Sequence, residues 1–265
     1  MPRFVPPSSL RTAAFGLVVV SLAAALATPA VAEHHEKRDP KAVEIAERSL
    51  EAMGGAEAWA DTRYVRFNFF GFRLHHWDRH TGDHRLEGKN REGQEYVVVH
   101  NIHDGGKGAG HVWLDGEALE GDDRAQWLGN AYGAWINDAY WLVMPYKLLD
   151  PGVNLAYDGS EELDGTTYDK LKLTFQGVGL TPGDTYWAYI DRDTGLMGRW
   201  AYSLESFKEG QEPTAWRWTD WQTYGDVKLS SGREKVDDGA VRELGEIAVL
   251  DSLPATAFTA RVIAP

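Results

Sequence analysis

The sequence predicts an α+β protein built on an antiparallel sheet, and three observations carry that prediction. Stretches of period-two alternation recur about every 8–12 residues between turn signals, as consecutive strands of a barrel, part-barrel or sandwich do. Only two segments, 40–53 and 122–145, hold helical spacing over several turns. One turn spelling occurs twice, as Asp78-Arg79-His80-Thr81-Gly82 and Asp191-Arg192-Asp193-Thr194-Gly195. In each, the first Asp is placed to cap a type I turn and the Gly to take the left-handed position of an antiparallel hairpin.

The chain of 265 residues opens with Arg3 and Arg11, an apolar run from Ala13 to Ala27, and Pro29-Ala30-Val31-Ala32. A charged start, an apolar core too short to span a bilayer and an Ala-x-Ala site describe a secretory signal peptide. Residues 1–32 are expected to be that peptide and 33–265 a single domain. Cysteine is absent, which excludes both disulfides and lipid attachment at an N-terminal Cys, and the combination fits a soluble periplasmic protein. A net charge of −13 repels phosphate backbones, so nucleic acid is not an expected partner.

Glu33 to Arg38 is polar and predicted to be disordered. Asp39-Pro40 then caps a helix, Val43, Ala46, Leu50 and Met53 line its apolar face, and Gly54-Gly55 ends it. A short turn follows at Glu57–Ala60, with Trp59 inward. From Arg63 the period becomes two: Val65, Phe67 and Phe69 alternate with polar neighbours. Gly71 marks a turn, and strands are predicted at 73–77 and 83–87. Others are predicted at 95–101, 111–114, 167–176, 186–190, 197–204, 214–224, 226–231 and 240–250. Asp104–Gly110 reads as a glycine-rich loop. Glu161, Glu162 and Asp164 read as turn or capping chemistry.

The central segment begins at Asp122-Asp123, which suits the positive end of a helix. Leu128, Ala131, Trp135, Ala139 and Leu142 share one helical face, and Pro145 stops the pattern. It is the aromatic-rich helix of a sheet protein, either a plug for the open face of a curved sheet or a lid over a cavity there.

Tyr186-Trp187-Ala188-Tyr189-Ile190-Asp191-Arg192-Asp193-Thr194-Gly195-Leu196, together with 76–82 and 135–148, resembles the LolA/LolB-like periplasmic lipoprotein-carrier superfamily, in an uncharacterised branch. The resemblance covers most of residues 40–235. It implies an incomplete antiparallel β-barrel, a strongly curved sheet with helices closing its concave face, around an apolar cavity that takes acyl chains. It also implies an early-strand arginine tied to the lid, for which Arg66 and Arg73 are the candidates. The central segment here is richer in Trp and Tyr than that family's.

Aromatic residues are abundant, with 11 Trp, 11 Tyr and 9 Phe. The inner face of such a sheet is expected to carry Phe67, Phe69, Trp113, Trp187 or Tyr186, and Trp216 and Trp218. Trp135, Tyr140, Trp141 and Met144 would form the lid side. A dry cavity would favour an acyl chain of about a dozen methylenes by several kcal/mol, at roughly 25 cal/mol per Å². The same rings could instead fill a core. Trp216-Arg217-Trp218 with Trp221 could stack on sugars, which would suit a carbohydrate or cell-envelope binding module.

Among the histidines, His76, His80 and His100 with Asp78 or Asp104 are the candidates for a zinc site, and with it for a metal-dependent hydrolase. Asp191 and Asp193 lack the later acidic ligand of an EF-hand. No Gly-x-Ser-x-Gly, phosphate loop, dinucleotide fingerprint or His-Glu-x-x-His occurs. The sequence therefore reads as a non-enzymatic, monomeric carrier or sensor without a cofactor. Its expected ligand is a lipid or a lipoprotein acyl chain, and an envelope protein is a possible partner.

Overall fold

The computed structural model describes residues 36–263, so the predicted signal peptide lies outside the described residues. Three helices, α1 (Pro40–Ala52), α2 (Gly55–Asp61) and α3 (Gly121–Val143), accompany thirteen strands. The first six strands are β1 (Tyr64–Phe69), β2 (Arg73–Asp78), β3 (Asp83–Lys89), β4 (Glu95–Asn101), β5 (His111–Leu114) and β6 (Glu117–Ala118). The rest are β7 (Val153–Leu163), β8 (Thr166–Phe175), β9 (Thr185–Asp191), β10 (Met197–Ser203), β11 (Thr214–Tyr224), β12 (Val227–Lys235) and β13 (Val241–Leu250). No helix among the described residues is long and apolar enough to cross a membrane.

All thirteen strands form one open sheet, ordered β6-β5-β4-β3-β2-β1-β13-β12-β11-β10-β9-β8-β7, with every neighbouring pair antiparallel. It is two meanders joined by the last strand, an α+β incomplete barrel. Val241–Glu243 of β13 pair with β12, whereas Leu244–Leu250 pair with β1. Within the β1 pairing the register slips opposite Arg66–Asn68, and Glu246 takes a left-handed φ of 51°. Such a bulge bends its strand, which lets one strand serve both halves of a curved sheet.

Beyond that switch β12 leaves β13, and the α1–α2 turn fills the gap. Lys228 donates its N–H to Met53 O, and the Tyr146 hydroxyl lies 2.9 Å from Met53 O and 2.7 Å from Lys228 O. Gly54 sits here with φ 117°; a Cβ on it would lie 2.2 Å from the carbonyl oxygen of Asp226, so the close approach requires glycine.

Both predicted hairpin turns form as their spelling requires. Asp78 accepts from the N–H groups of His80 and Thr81, and Asp191 from those of Asp193 and Thr194. Asp39 caps α1 through Lys41 N–H, with Pro40 at the first helical position.

Ala42, Ile45 and Ala46 of α1 are buried with Leu155, Leu171, Leu173, Ala188, Ile190 and Met197. Helix α3 lies along the concave face. Its Leu128 and Ala131 join Leu86, Val98 and Val112, and its Ala139, Leu142 and Val143 join Val65, Phe67, Leu229 and Leu244.

Two expectations are corrected. Glu36–Arg38 are ordered: the 37–39 segment runs parallel to β7, exchanging bonds with both backbone groups of Leu155. Glu161 and Glu162 belong to strand β7 and only Asp164-Gly165 make the turn, with Asp164 at φ 53°. As an edge strand, β7 is polar over its second half, and the inward period of Val153 and Leu155 is too short to stand out.

Candidate functional site

The concave face is joined to α3 by a line of buried polar groups. Arg73, at the start of β2, bonds Asp138 of α3 at both oxygens, at 2.6 and 2.8 Å. His75 Nε2 lies 2.9 Å from Asp138 Oδ2, His75 Nδ1 is 3.0 Å from His84 Nε2, and His84 Nδ1 is 2.9 Å from His100 Nε2. The register explains the line. Trp77, His84 and His100 stand directly opposite one another on β2, β3 and β4, and His75, two residues before Trp77, shares their face. Asp138, His75 and His84 are 0% exposed and His100 5%.

Burial raises the Asp138 carboxyl, but the bonds from His75 and Arg73 outweigh it and hold the group below the ordinary carboxylate range. Burial lowers His75 despite the pull of Asp138, holds His84 well below the ordinary imidazole value, and brings His100 to about 4. With Asp138 ionised, His75 must donate through Nε2, so its Nδ1 accepts from His84 Nε2–H. His84 Nδ1 in turn accepts from His100 Nε2–H. All three rings are thus neutral Nε2–H tautomers, and the line ends at His100 Nδ1, a buried atom with no hydrogen-bond partner.

Toward its C-terminus α3 meets the sheet through rings. Trp141 makes edge contacts with Trp200, Trp216 and Phe70 at centroid distances of 4.9, 5.3 and 5.5 Å. Tyr140 packs against Tyr186 and Trp200, and Trp135 against Trp77. The Tyr140 hydroxyl and the indole nitrogens of Trp77, Trp135, Trp200 and Trp218 are buried without a hydrogen-bond partner. Arg233 of β12, 0% exposed, donates to the Trp141 carbonyl oxygen and to Ser230 and Gly232, with its guanidinium 3.5 Å above the Trp218 ring. Burial holds its pKa well below the ordinary arginine value.

Of the sequence candidates, Phe67, Phe69, Trp135, Tyr140, Trp141 and Met144 all lie between sheet and helix. Trp113 and Trp187 do not. Trp113 alternates with Val112 and Leu114, which face α3, and its own ring stacks on His111 on the outer face. The Trp187 indole donates to Asp158 on the outside, beside Lys170 and Lys172, and Tyr186 faces α3 instead. In both strands the alternation was right, but which phase faces inward depends on the neighbouring strands.

Trp216 and Trp218 are buried, and Arg217 between them pairs outward with Asp164 and Glu234, so this stretch offers no stacking platform. Of the two arginine candidates, Arg73 is tied to α3, while Arg66 sits outside near Glu246.

The structure does not bring together the proposed zinc ligands. His80 bonds Ala60 O at the hairpin tip and His100 lies inside the sheet. His76 shares the outer face with Arg85, whose guanidinium holds the C-terminal segment through the carbonyl oxygens of Ala257, Ala260 and Arg261. Among the described residues no group of three or more His, Cys, Asp or Glu has metal-binding geometry.

The sequence reading missed Asp138, His75 and His84. The available signal was an aspartate on the apolar stripe of α3, one residue before Ala139, where an unpaired carboxylate could not be buried.

Two surface hollows, of about 320 and 520 Å³, are lined by residues of β1–β4 and of β7–β8. Neither is lined by any residue of α3, and the protein's own rings fill the helix–sheet interface.

No family model and no curated protein matches the chain. Among solved structures it is similar to a DUF1329 family protein from Desulfovibrio piger, 12% identical with a TM-score of 0.43, over 84% of this chain and 99% of that one. It is similar to a putative outer membrane lipoprotein-sorting protein domain from Vibrio parahaemolyticus, 10% identical with a TM-score of 0.42, over 83% and 96% of the two chains. It is also similar to a LolA superfamily protein from Nitrosomonas europaea, 10% identical with a TM-score of 0.43, over 82% and 97%.

Proposed function

We propose that this protein is a non-enzymatic carrier or sensor of an apolar chain, a lipid or the acyl part of a lipoprotein, working as a monomer in the periplasm. The ligand would enter between the curved sheet and α3, which acts as a displaceable lid. Phe67, Phe69 and Tyr186 would form the sheet side of the site, and Trp135, Tyr140, Trp141 and Met144 the lid side.

One observation carries this reading. The helix–sheet interface is ring-rich yet leaves five indole or phenol groups buried without hydrogen bonds. Each such group costs about 1–3 kcal/mol, so the closed packing is not the best these side chains can reach. A surface of this size and apolarity regains in ligand contact what it loses when the helix lifts. The secretory-type start at Arg3–Ala32 supports the compartment, and the absence of cysteine is compatible with it.

The test is organic extraction of natively purified protein followed by mass spectrometry, with titration of a fluorescent long-chain fatty acid. A co-purified lipid and saturable 1:1 probe binding are expected. Quenching of tryptophan fluorescence by soluble glycans, with no fatty-acid binding, would overturn the reading in favour of an envelope-carbohydrate module.

A further inference from the structure

A full positive charge, that of Arg233, lies between β12 and α3 with nothing to balance it. We infer that Arg233 is the counter-ion for a ligand carboxylate, so that the apolar chain this protein takes is a free long-chain acid with its head group on β12 beneath Trp141. The inference rests on the reading of α3 as a displaceable lid and narrows its ligand from any acyl chain to one with an ionised head.

Of the two arginines buried among the described residues, Arg85 pairs with Glu87, whereas Arg233 pairs with no carboxylate of the described residues. Its Nη1 donates to Ser230 Oγ and Gly232 O, and its Nη2 to Ser230 O and Trp141 O. Its Nε is buried without a partner. The buried aspartates Asp78, Asp138, Asp169 and Asp184 are all bonded elsewhere. Burial alone acts on the Arg233 pKa, with no charged neighbour to raise it. An uncompensated cation is costly in such a place, and a neutral side chain of similar volume would cost less.

The edge left incomplete is the one that this protein uses for carboxylates. Arg63 holds Asp78, Arg73 holds Asp138 and Arg192 holds Asp169, each through Nε and Nη2 at 2.6–3.3 Å. A planar carboxylate matches that fork. In Arg233 the same edge has a free Nε beside an Nη2 turned to carbonyl oxygens, and one of these, Trp141 O, belongs to α3 and leaves with it. A ligand carboxylate at this edge satisfies Nε, replaces the Trp141 carbonyl on Nη2 and supplies the missing negative charge.

The neighbouring rings fit the same head group. Trp218 lies 3.5 Å beneath the guanidinium, Trp200 is 6.3 Å from Trp218, and Tyr140 is 6.1 Å from Trp200. Their two indole nitrogens and the phenol are buried without partners, and all three can donate. A bare hydrocarbon leaves these donors unsatisfied, whereas a head group carrying oxygen acceptors does not. Trp141 and Tyr186, 4.9 and 5.4 Å from Trp200, offer apolar ring surface for the chain that follows.

Titration of the protein with hexadecanoic acid and with its methyl ester at pH 7.5, followed by tryptophan fluorescence, tests the inference. The wild type is expected to bind the acid at least about tenfold more tightly than the ester. In Arg233→Met, which keeps the volume over Trp218 and removes the charge, that preference should fall below about twofold. Equal affinity for acid and ester in the wild type, or a variant that keeps the tenfold preference, would overturn the inference and leave the carrier reading standing. Binding of neither compound would overturn both. Should the variant fail to fold, the carboxyl carbon shift of carboxyl-labelled hexadecanoic acid bound to the wild type decides. An acid held by Arg233 stays ionised at pH 6.0, whereas one in an apolar site without a counter-ion is protonated there. The ionised shift supports the assignment, and the protonated one contradicts it.

Discussion

Arg73 and Asp138 meet in a two-point contact of 2.6 and 2.8 Å between the sheet and the middle of α3. The arginine is 65 residues from its partner in the chain, and the carboxylate is wholly buried. Removing one side of a buried pair leaves the other uncompensated. Asp138→Asn should therefore lower unfolding stability in urea by about 3 kcal/mol. It should also raise affinity for a fatty-acid probe, because a loosened lid taxes binding less. A destabilised variant with weaker probe binding would mean the contact builds the site rather than closing it.

Acid should destabilise the fold with a defined sign. His100 titrates at about 4 against an ordinary 6.5, and His75 and His84 are also held below that value. The unfolded chain therefore takes up these protons first as pH falls. For His100 the stability is complete above about pH 6.5 and is lost progressively toward about 4, near 2 kcal/mol at pH 5, and His75 and His84 act in the same direction. Outside the line, His76, also brought to about 4 by burial, adds in parallel. Thermal melts at pH 7.5 and 5.0 measure the fall, and a flat profile would contradict the buried neutral rings.

Tyr146→Phe removes the hydroxyl that bridges Met53 O and Lys228 O in the gap between β12 and β13. A cost of about 1–2 kcal/mol is expected, with unchanged probe binding, since the residue closes the sheet and not the site. Denaturant unfolding of the pair of proteins checks both.

Arg233→Ala should cost about 3 kcal/mol, through the cavity it leaves and the Trp141 carbonyl it abandons. Arg233→Met should recover about half, because stacking volume over Trp218 is retained while burial of an unpaired cation is relieved. Equal losses in both would mean that the hydrogen bonds, not the volume, hold α3 down.

Trp135→Asp places a charge against Trp77 beneath α3. The variant should retain its β-type circular dichroism and lose fatty-acid binding. Unchanged affinity in a folded variant would remove Trp135 from the lid.

Much of the architecture was legible because local chemistry and tertiary structure agree here. Asp39-Pro40, the two Asp-Arg-x-Thr-Gly turns and the alternation at 64–69, 95–101 and 214–224 each specify their element without outside help. What escaped depends on long-range pairing. Strand β7 carries edge-strand polarity, and the outward phases of Trp113 and Trp187 were fixed only by their neighbours. The histidine line was hidden because His75 and His76 are adjacent, and only the first lies inside, two residues from Trp77. No local rule reveals that Asp138 waits above it.

The central claim is that α3 lifts from the curved sheet to admit an apolar chain. Titrating the protein with a fluorescent long-chain fatty acid, while following amide exchange across residues 128–143, tests it most directly. The account predicts saturable 1:1 binding with altered exchange in α3 and little change in β8–β10. Absence of saturable binding, or binding that leaves α3 exchange untouched, would contradict it.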